Sequence, residues 1–170
     1  MNSQEILNDF DQSADDLLQT LSRFSKEEFN RVPFEGSWTA GQVAEHVLKS
    51  ASGVPHVLGG SAKETERATD ALIPTLTSIF LDFSTKLKSP DFIIPSDGPH
   101  DKDEMIQSMT KTMEKIRSTA SATDLDKTCT SFPFPQMGEM TGVEWLFFSS
   151  AHSKRHTNQL KNIYRRLKGE

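Results

Sequence analysis

The chain has 170 residues, of which 35% are hydrophobic and 25% charged, and its formal net charge is −5. This composition is typical of one soluble globular domain and excludes a disordered chain, while the acidic balance argues against general affinity for nucleic acids or anionic membranes. A single cysteine, Cys129, excludes an internal disulfide framework and a cysteine-based zinc cluster, which leaves five histidines as the abundant metal-ligand type.

The sequence also carries information about location. It has no apolar run of about 18 residues, so we expect no transmembrane helix. The segment from Met1 to Glu5 does not combine a basic region with a following apolar stretch, so we expect no signal peptide and a cytoplasmic location.

Apolar residues spaced by three and four predict helices over most of the chain. The first predicted helix covers residues 4–24 and ends near Ser25. The second begins at Thr39, whose spacing to Gln42 fits a capping box, and stops around residues 53–55.

The middle of the chain has a less regular pattern. Residues 59–74 are predicted to form a long exposed connection, and a third helix is predicted over residues 75–88, with Phe83 and Leu87 on its apolar face. Residues 89–100 contain several prolines and are expected to be irregular. Both irregular segments are candidates to wall or cover a site.

Two helices are predicted in the C-terminal part. One begins at Asp101, and residues 121–140 cannot continue it because of their prolines. The last runs from Thr141, which fits a capping box with Glu144, to about Leu167. Together the elements predict an all-α fold, a bundle of four main helices with an additional short helix and long irregular connections, in a single domain over the whole chain.

Three histidines occupy apolar helix faces. His152 and His156 are four residues apart and so share one face of the last helix, near enough for one metal ion to bind both. His46, on the apolar face of the second helix, is the best source of a third imidazole. Three neutral histidines with an open coordination position are typical of a catalytic metal centre. The alternative is that each is a core histidine with hydrogen-bonded nitrogens and no metal.

Other polar residues are candidates near such a centre. Gln159 could hydrogen-bond a metal ligand or a bound molecule, although a plain, partly buried amide is the simpler interpretation. Glu45 adjoins a predicted ligand but points about 100° away from it around the helix. His56 and His100 are expected in surface loops, from which either could reach the site, and Cys129 is expected to be inert.

The last helix also carries a basic cluster. Because cations near a helix C-terminus complement the helix dipole, we expect the cluster to form the solvated face of this helix and not a nucleic-acid site. Its members are Lys154, Arg155, Lys161, Arg165, Arg166 and Lys168.

Two segments resemble a known family. Residues 37–48, SWTAGQVAEHVL, resemble the second-helix motif of the DinB-like (YfiT-like) superfamily, and residues 144–160 resemble its fourth-helix motif. The resemblance implies an antiparallel four-helix bundle in which His46, His152 and His156 bind a divalent metal. It also implies that a homodimer is common. Branches of the superfamily include transferases that use small cytosolic thiols, a thiol-dependent isomerase and metal-dependent hydrolases.

Two classes of function therefore stay open. One is a metalloenzyme acting on a small-molecule substrate, either a small-thiol-dependent S-transferase or a hydrolase, with zinc, nickel or iron as the metal. The resemblance favours thiol transfer, with a low-molecular-weight thiol as co-substrate. The other is a non-catalytic metal-binding module that acts through a protein partner or in a stress response.

Overall fold

A computed structural model describes the chain from Met1 to Glu170. It contains six α-helices: α1 (Ser3–Ser22), α2 (Ala40–Ser52), α3 (Val54–Leu58), α4 (Ile73–Phe80), α5 (Lys102–Ala122) and α6 (Gly142–Leu167). Short 3-10 helices occupy Glu28–Asn30 and Asp91–Ile93. Two strands, β1 (Ala62–Lys63) and β2 (Thr128–Cys129), pair in antiparallel register with Ala62 opposite Cys129.

Four long helices form the bundle. α1 packs against α6, α6 against α2, α2 against α5, and α5 against α1, which closes a ring around one core. α4 packs on the outside of α6, and α3 lies against α5. This arrangement confirms the predicted all-α, four-helix fold. The largest fully buried side chains are Phe10, Phe24, Phe29, Ile6, Leu17, Leu21, Leu76, Met109, Ile116, Met140, Leu146 and Leu160.

None of the helices combines the length and the apolar character that a membrane-crossing segment requires.

The predicted helix starts are confirmed. In α2, the Gln42 N–H donates to the Thr39 hydroxyl (3.1 Å), and the Thr39 N–H donates to the Gln42 side chain (3.0 Å). The same pair of reciprocal hydrogen bonds joins Thr141 and Glu144 at the start of α6. Asp101 caps α5 by accepting a hydrogen bond from a backbone N–H. Each cap satisfies donors that a helix end otherwise leaves free.

The predicted third helix over 75–88 is wrong at its C-terminal half. α4 ends at Phe80, and the chain beyond it forms turns and irregular structure. Phe83 and Leu87, which the periodicity assigned to a buried face, are 47% and 41% exposed.

The side chain of Asp82 explains this early end. Its carboxylate accepts hydrogen bonds from the Ser84 N–H (3.0 Å), from the Ser84 hydroxyl and from the Thr85 hydroxyl (2.8 Å). Such local bonds offer the backbone an alternative to helical pairing. The polar residues therefore override the apolar spacing.

The region after α2 also differs from its prediction. α2 ends at Ser52, close to the predicted stop, but a separate short helix, α3, follows at once, with Pro55 in its first turn, where proline's fixed φ suits a helix. The connection 59–74 is fixed to the rest of the fold at two points. In its first half β1 pairs with β2, and in its second half Arg67 forms an ion pair with Glu144 of α6.

Candidate metal centre

The bundle brings three histidines to one point. His46 comes from α2, and His152 and His156 lie one turn apart on α6. The Nε2 atoms form a triangle in which every edge is 3.1 Å. The three side chains form a group that could hold a metal ion.

The size of the triangle suits a transition-metal ion. Metal–imidazole bonds are about 2.0–2.1 Å long, so nitrogens at adjacent corners of a tetrahedral or octahedral site lie about 2.9–3.4 Å apart. The observed 3.1 Å falls inside this range. An all-nitrogen donor set fits zinc, nickel or iron and does not suit magnesium or calcium, which prefer oxygen.

The hydrogen bonds of the other ring nitrogens decide the tautomers. His46 Nδ1 lies 2.9 Å from the Ile93 carbonyl oxygen, and His156 Nδ1 lies 2.7 Å from Oε1 of Gln159. Because both oxygens are acceptors, both Nδ1 atoms carry protons, and the two Nε2 atoms present bare lone pairs. These lone pairs are 3.1 Å apart with no proton between them. A cation shared by the rings removes this repulsion.

The environment keeps the imidazoles neutral. Burial lowers the pKa of His46 and, more strongly, that of His152. Burial, reinforced by the neighbouring His46, lowers the pKa of His156 to about 3. Metal binding requires unprotonated imidazole, so near neutral pH no proton has to be displaced from these rings.

Aromatic side chains surround the centre. The Trp38 ring lies 5.1 Å from that of His46, and the rings of Phe148 and Phe80 lie 5.4 and 6.0 Å from that of His152. The three histidines are only 2–8% exposed. The surroundings therefore exclude most of the water from the point where the nitrogens converge.

Comparison with known proteins decides the family. Residues 9–160 match the family model of the DinB superfamily. The chain belongs to the DinB superfamily. A Bacillus subtilis (strain 168) relative, the uncharacterized protein YuaE, is 23% identical over 151 residues, which cover 86% of this chain and 90% of YuaE. A solved structure described as TT2238, a four-helix bundle protein, superposes with a TM-score of 0.61 at 20% identity, covering 95% of this chain and 99% of that one. At this identity the structure supports the fold alone.

The other polar residues that the sequence suggested for this DinB-superfamily chain lie at different positions relative to the three histidines. Gln159 is in contact with the centre through His156, as described above. His56 is exposed as expected, but it lies on α3 and not in a loop, and it has no hydrogen bond to the three histidines. Glu45 points away from the centre, as its angular position on the helix predicts, and its side chain is 18% exposed.

The expected surface position of His100 is wrong. Its side chain is only 6% exposed, and its Nε2–H donates to Glu45 Oε2 over 2.6 Å. Although burial alone raises the pKa of Glu45, hydrogen bonds from His100 and Ser96, together with Lys49, lower it to about 2. Glu45 is therefore an ionised anchor for the loop that contains His100.

The solvated role expected for the basic cluster is wrong for Arg155. In the sequence this residue lies between His152 and His156, and its side chain is half-buried. Its guanidinium donates to the carbonyl oxygens of Asp82 (2.8 Å) and Thr85. Arg155 thereby fixes the chain that leaves α4 against α6. The sequence does not reveal this role, because Arg155 is there one of several basic residues on the same helix.

Cys129 is buried on β2 with 3% exposure, and burial raises the pKa of its thiol to about 11. The thiolate is the reactive form of cysteine, so the thiol of this DinB-superfamily chain is inert near neutral pH.

Sequence reasoning missed one functional group entirely, the carbonyl of Ile93 that orients His46. A backbone carbonyl has no side-chain signature, and residues 89–100 show no periodicity that would place them. The only available signal was indirect, since metal-binding histidines usually donate their second N–H to a nearby oxygen.

Proposed function

We propose that the chain is a metal-dependent enzyme in which His46, His152 and His156 hold one divalent metal ion. The observation that carries the proposal is the convergence of three Nε2 atoms at 3.1 Å while two of the Nδ1 atoms donate to oxygens. Neutral imidazoles buried in this way have no other common partner. A bound ion would supply a Lewis acid with open positions, able to acidify a water molecule or a small thiol.

The residues of the chain have distinct roles in this proposal. Ile93 and Gln159 hold protons on the outer nitrogens of His46 and His156, which aims the lone pairs of both rings at one point. Trp38, Phe80 and Phe148 keep the surroundings of the rings apolar. Electrostatic interactions are stronger in such a dry environment.

Transfer of a small thiol is the reaction that we favour. Hydrolysis usually relies on a positioned general base, and the histidine group contains no carboxylate. The nearby Glu45 faces Ser96 and His100 instead. Because Cys129 is inert, the sulfur would come from a low-molecular-weight thiol, and the other substrate would be a small electrophile.

Metal analysis provides the first test. Untagged protein incubated with Zn²⁺ and desalted is expected to retain about one equivalent, measured by mass spectrometry of the metal. His152→Ala is expected to retain almost none. His56→Ala is the matched control, because His56 is exposed and does not belong to the converging group, and it should match the wild type. Equal trace amounts in all three proteins would contradict the proposed site.

The reaction class needs a second experiment. Zn²⁺-loaded protein is mixed with a panel of small thiols and an electrophile that becomes fluorescent on alkylation, and in parallel with ester and amide substrates. Thiol transfer that is lost in His152→Ala supports the proposal. Ester or amide cleavage alone would identify a hydrolase. Stoichiometric metal without either activity would favour the non-catalytic module.

A further inference from the structure

Residues 91–100, a single 3-10 turn (Asp91–Ile93) followed by irregular chain, lie along one face of α2. Three side chains of that face hold it. Lys49 Nζ donates to the Ile94 carbonyl over 2.8 Å, and Gln42 Nε2 donates to the Ser96 carbonyl over 3.3 Å. Glu45, between them on the helix, makes the most contacts. The three residues are three and four positions apart, so they form one continuous row.

Glu45 is the centre of this attachment. Its Oε2 atom accepts hydrogen bonds from the Ser96 N–H (2.7 Å), the Ser96 hydroxyl (2.9 Å) and His100 Nε2 (2.6 Å). Hydrogen bonds to a charged group stabilise more than hydrogen bonds between neutral groups. The carboxylate therefore joins the middle and the end of the segment to the helix.

His100 is enclosed on several sides. The side-chain amide of Asn30 donates to the His100 carbonyl (2.8 Å) and accepts from the His100 N–H (2.7 Å). A Cβ added at Gly41 of α2 would lie 2.9 Å from the His100 Cβ, so this glycine leaves the space that the ring fills. The His100 Nδ1 atom is buried without a partner. The ring is therefore held in place by Asn30, Glu45 and the backbone of α2.

The segment held in this way carries the carbonyl that orients a histidine of the centre. The Ile93 oxygen lies 2.9 Å from His46 Nδ1, and the Ile93 side chain is 8% exposed. The Ile93 carbonyl ends a single turn of 3-10 helix, and so short a turn keeps its position only while its segment stays docked. The tautomer and the ring angle of His46 therefore depend on contacts up to seven residues further along the chain.

We propose that His100 is a positioning residue for the metal centre. It acts through Glu45 and the docked segment to hold the Ile93 carbonyl against His46. The inference rests on the metal site of the proposed function, and it adds that metal affinity is set partly by the docking of residues 91–100. Removing an oxygen that orients a ligating histidine typically weakens metal binding about 10- to 100-fold.

The test uses Co²⁺, whose absorption spectrum reports on the ligand field. Dissociation constants for Co²⁺ are measured by chelator competition for the wild type, His100→Ala, His100→Gln and Ser96→Ala. His100→Ala is expected to weaken binding about 10- to 100-fold and to alter the visible spectrum. His100→Gln, whose amide can donate to Glu45, is expected to recover most of the affinity. Ser96→Ala, which removes one hydroxyl, is expected to have a small effect in the same direction.

A matched control separates positioning from stability. Arg67→Met removes an ion pair of α6 that has no hydrogen bond to the three histidines, so it should lower the stability of the metal-free protein without changing the affinity for Co²⁺. The positioning role is overturned if His100→Ala, like Arg67→Met, lowers stability without changing the affinity for Co²⁺. It is also overturned if His100→Ala fails to fold and Ser96→Ala leaves the Co²⁺ affinity and the spectrum unchanged. If the wild type itself binds no Co²⁺, both the metal site and this inference are overturned. The two failures are thus distinguishable.

Discussion

Arg67 and Glu144 form a bidentate ion pair that joins the connection after β1 to the first turn of α6. The Arg67 nitrogens lie 2.6 and 2.7 Å from the Glu144 oxygens, and the Glu144 side chain is completely buried. The same carboxylate accepts the N–H groups of Leu72 (2.8 Å) and Thr141 (2.9 Å). A single side chain thus caps the helix that carries two of the metal-site histidines and holds a long connection against it.

Arg67→Met is expected to lower the free energy of unfolding by about 2–3 kcal/mol, because it leaves a buried carboxylate without its counter-charge. This is below the full range for buried pairs, since the Arg67 side chain is 35% exposed. Urea denaturation measures the change. Lys63→Met, which breaks an exposed pair with Glu139, serves as the control and should change stability by less than about 1 kcal/mol. Similar losses in both variants would contradict the assigned importance of the buried pair.

The metal-free protein is expected to lose stability as the pH falls from about 6.5 to about 3. Burial lowers the pKa of His156 from 6.5 to about 3, so in this window the unfolded chain binds a proton that the folded chain does not. Each such group lowers the free energy of unfolding by at most about 1.4 kcal/mol per pH unit, and the effect is absent above the unfolded pKa. Urea denaturation across this range in EDTA measures the slope. His156→Leu should give a shallower slope, and an unchanged slope would show that the ring is not buried in its neutral form.

Gln159→Leu is expected to weaken Zn²⁺ binding about tenfold, because it removes the oxygen that accepts the His156 Nδ1 proton. Competition with a chromogenic chelator measures the dissociation constant. Gln159→Glu, which keeps an acceptor, should bind Zn²⁺ at least as tightly as the wild type. Asn158→Ala changes the preceding polar residue, whose side chain makes no hydrogen bond to His156, and should have no effect. Equal affinity in Gln159→Leu would remove Gln159 from the site.

Arg155→Met is expected to release the chain that follows α4, because the guanidinium donates to the carbonyls of Asp82 and Thr85. Hydrogen exchange followed by mass spectrometry should show faster exchange confined to residues 81–90. Lys154→Met is the control, since Lys154 pairs with Asp9 of α1. Identical exchange in both variants would show that Arg155 does not hold this segment.

Cys129 is expected to be dispensable. Cys129→Ser should keep the metal content and the thiol-transfer activity of the wild type. In the wild type, the Cys129 thiol should react with an aromatic disulfide reagent much more slowly in the folded protein than in urea, because the folded chain buries it and raises its pKa to about 11. Loss of activity in Cys129→Ser at unchanged metal content would mean that the sulfur comes from the protein.

The amino-acid sequence by itself determined the four long helices, the caps that begin α2, α5 and α6, and the pairing of His152 with His156 on one face. These features depend on residues three and four positions apart, where helix geometry alone decides which side chains are neighbours. The apolar pattern failed after Phe80, where the carboxylate of Asp82 bonds to nearby polar groups and replaces helical pairing.

Only the tertiary structure decided how the centre is completed. It brought His46 within 3.1 Å of histidines 106 and 110 residues away, buried His100 against Glu45, and placed the Ile93 carbonyl on His46. The two ligand helices can be recognised locally, but residues 91–100 dock through contacts between residues about 50 positions apart, several of which involve backbone groups that every residue type shares. For this reason the metal-site histidines were readable from the sequence, and the contacts that orient them were not.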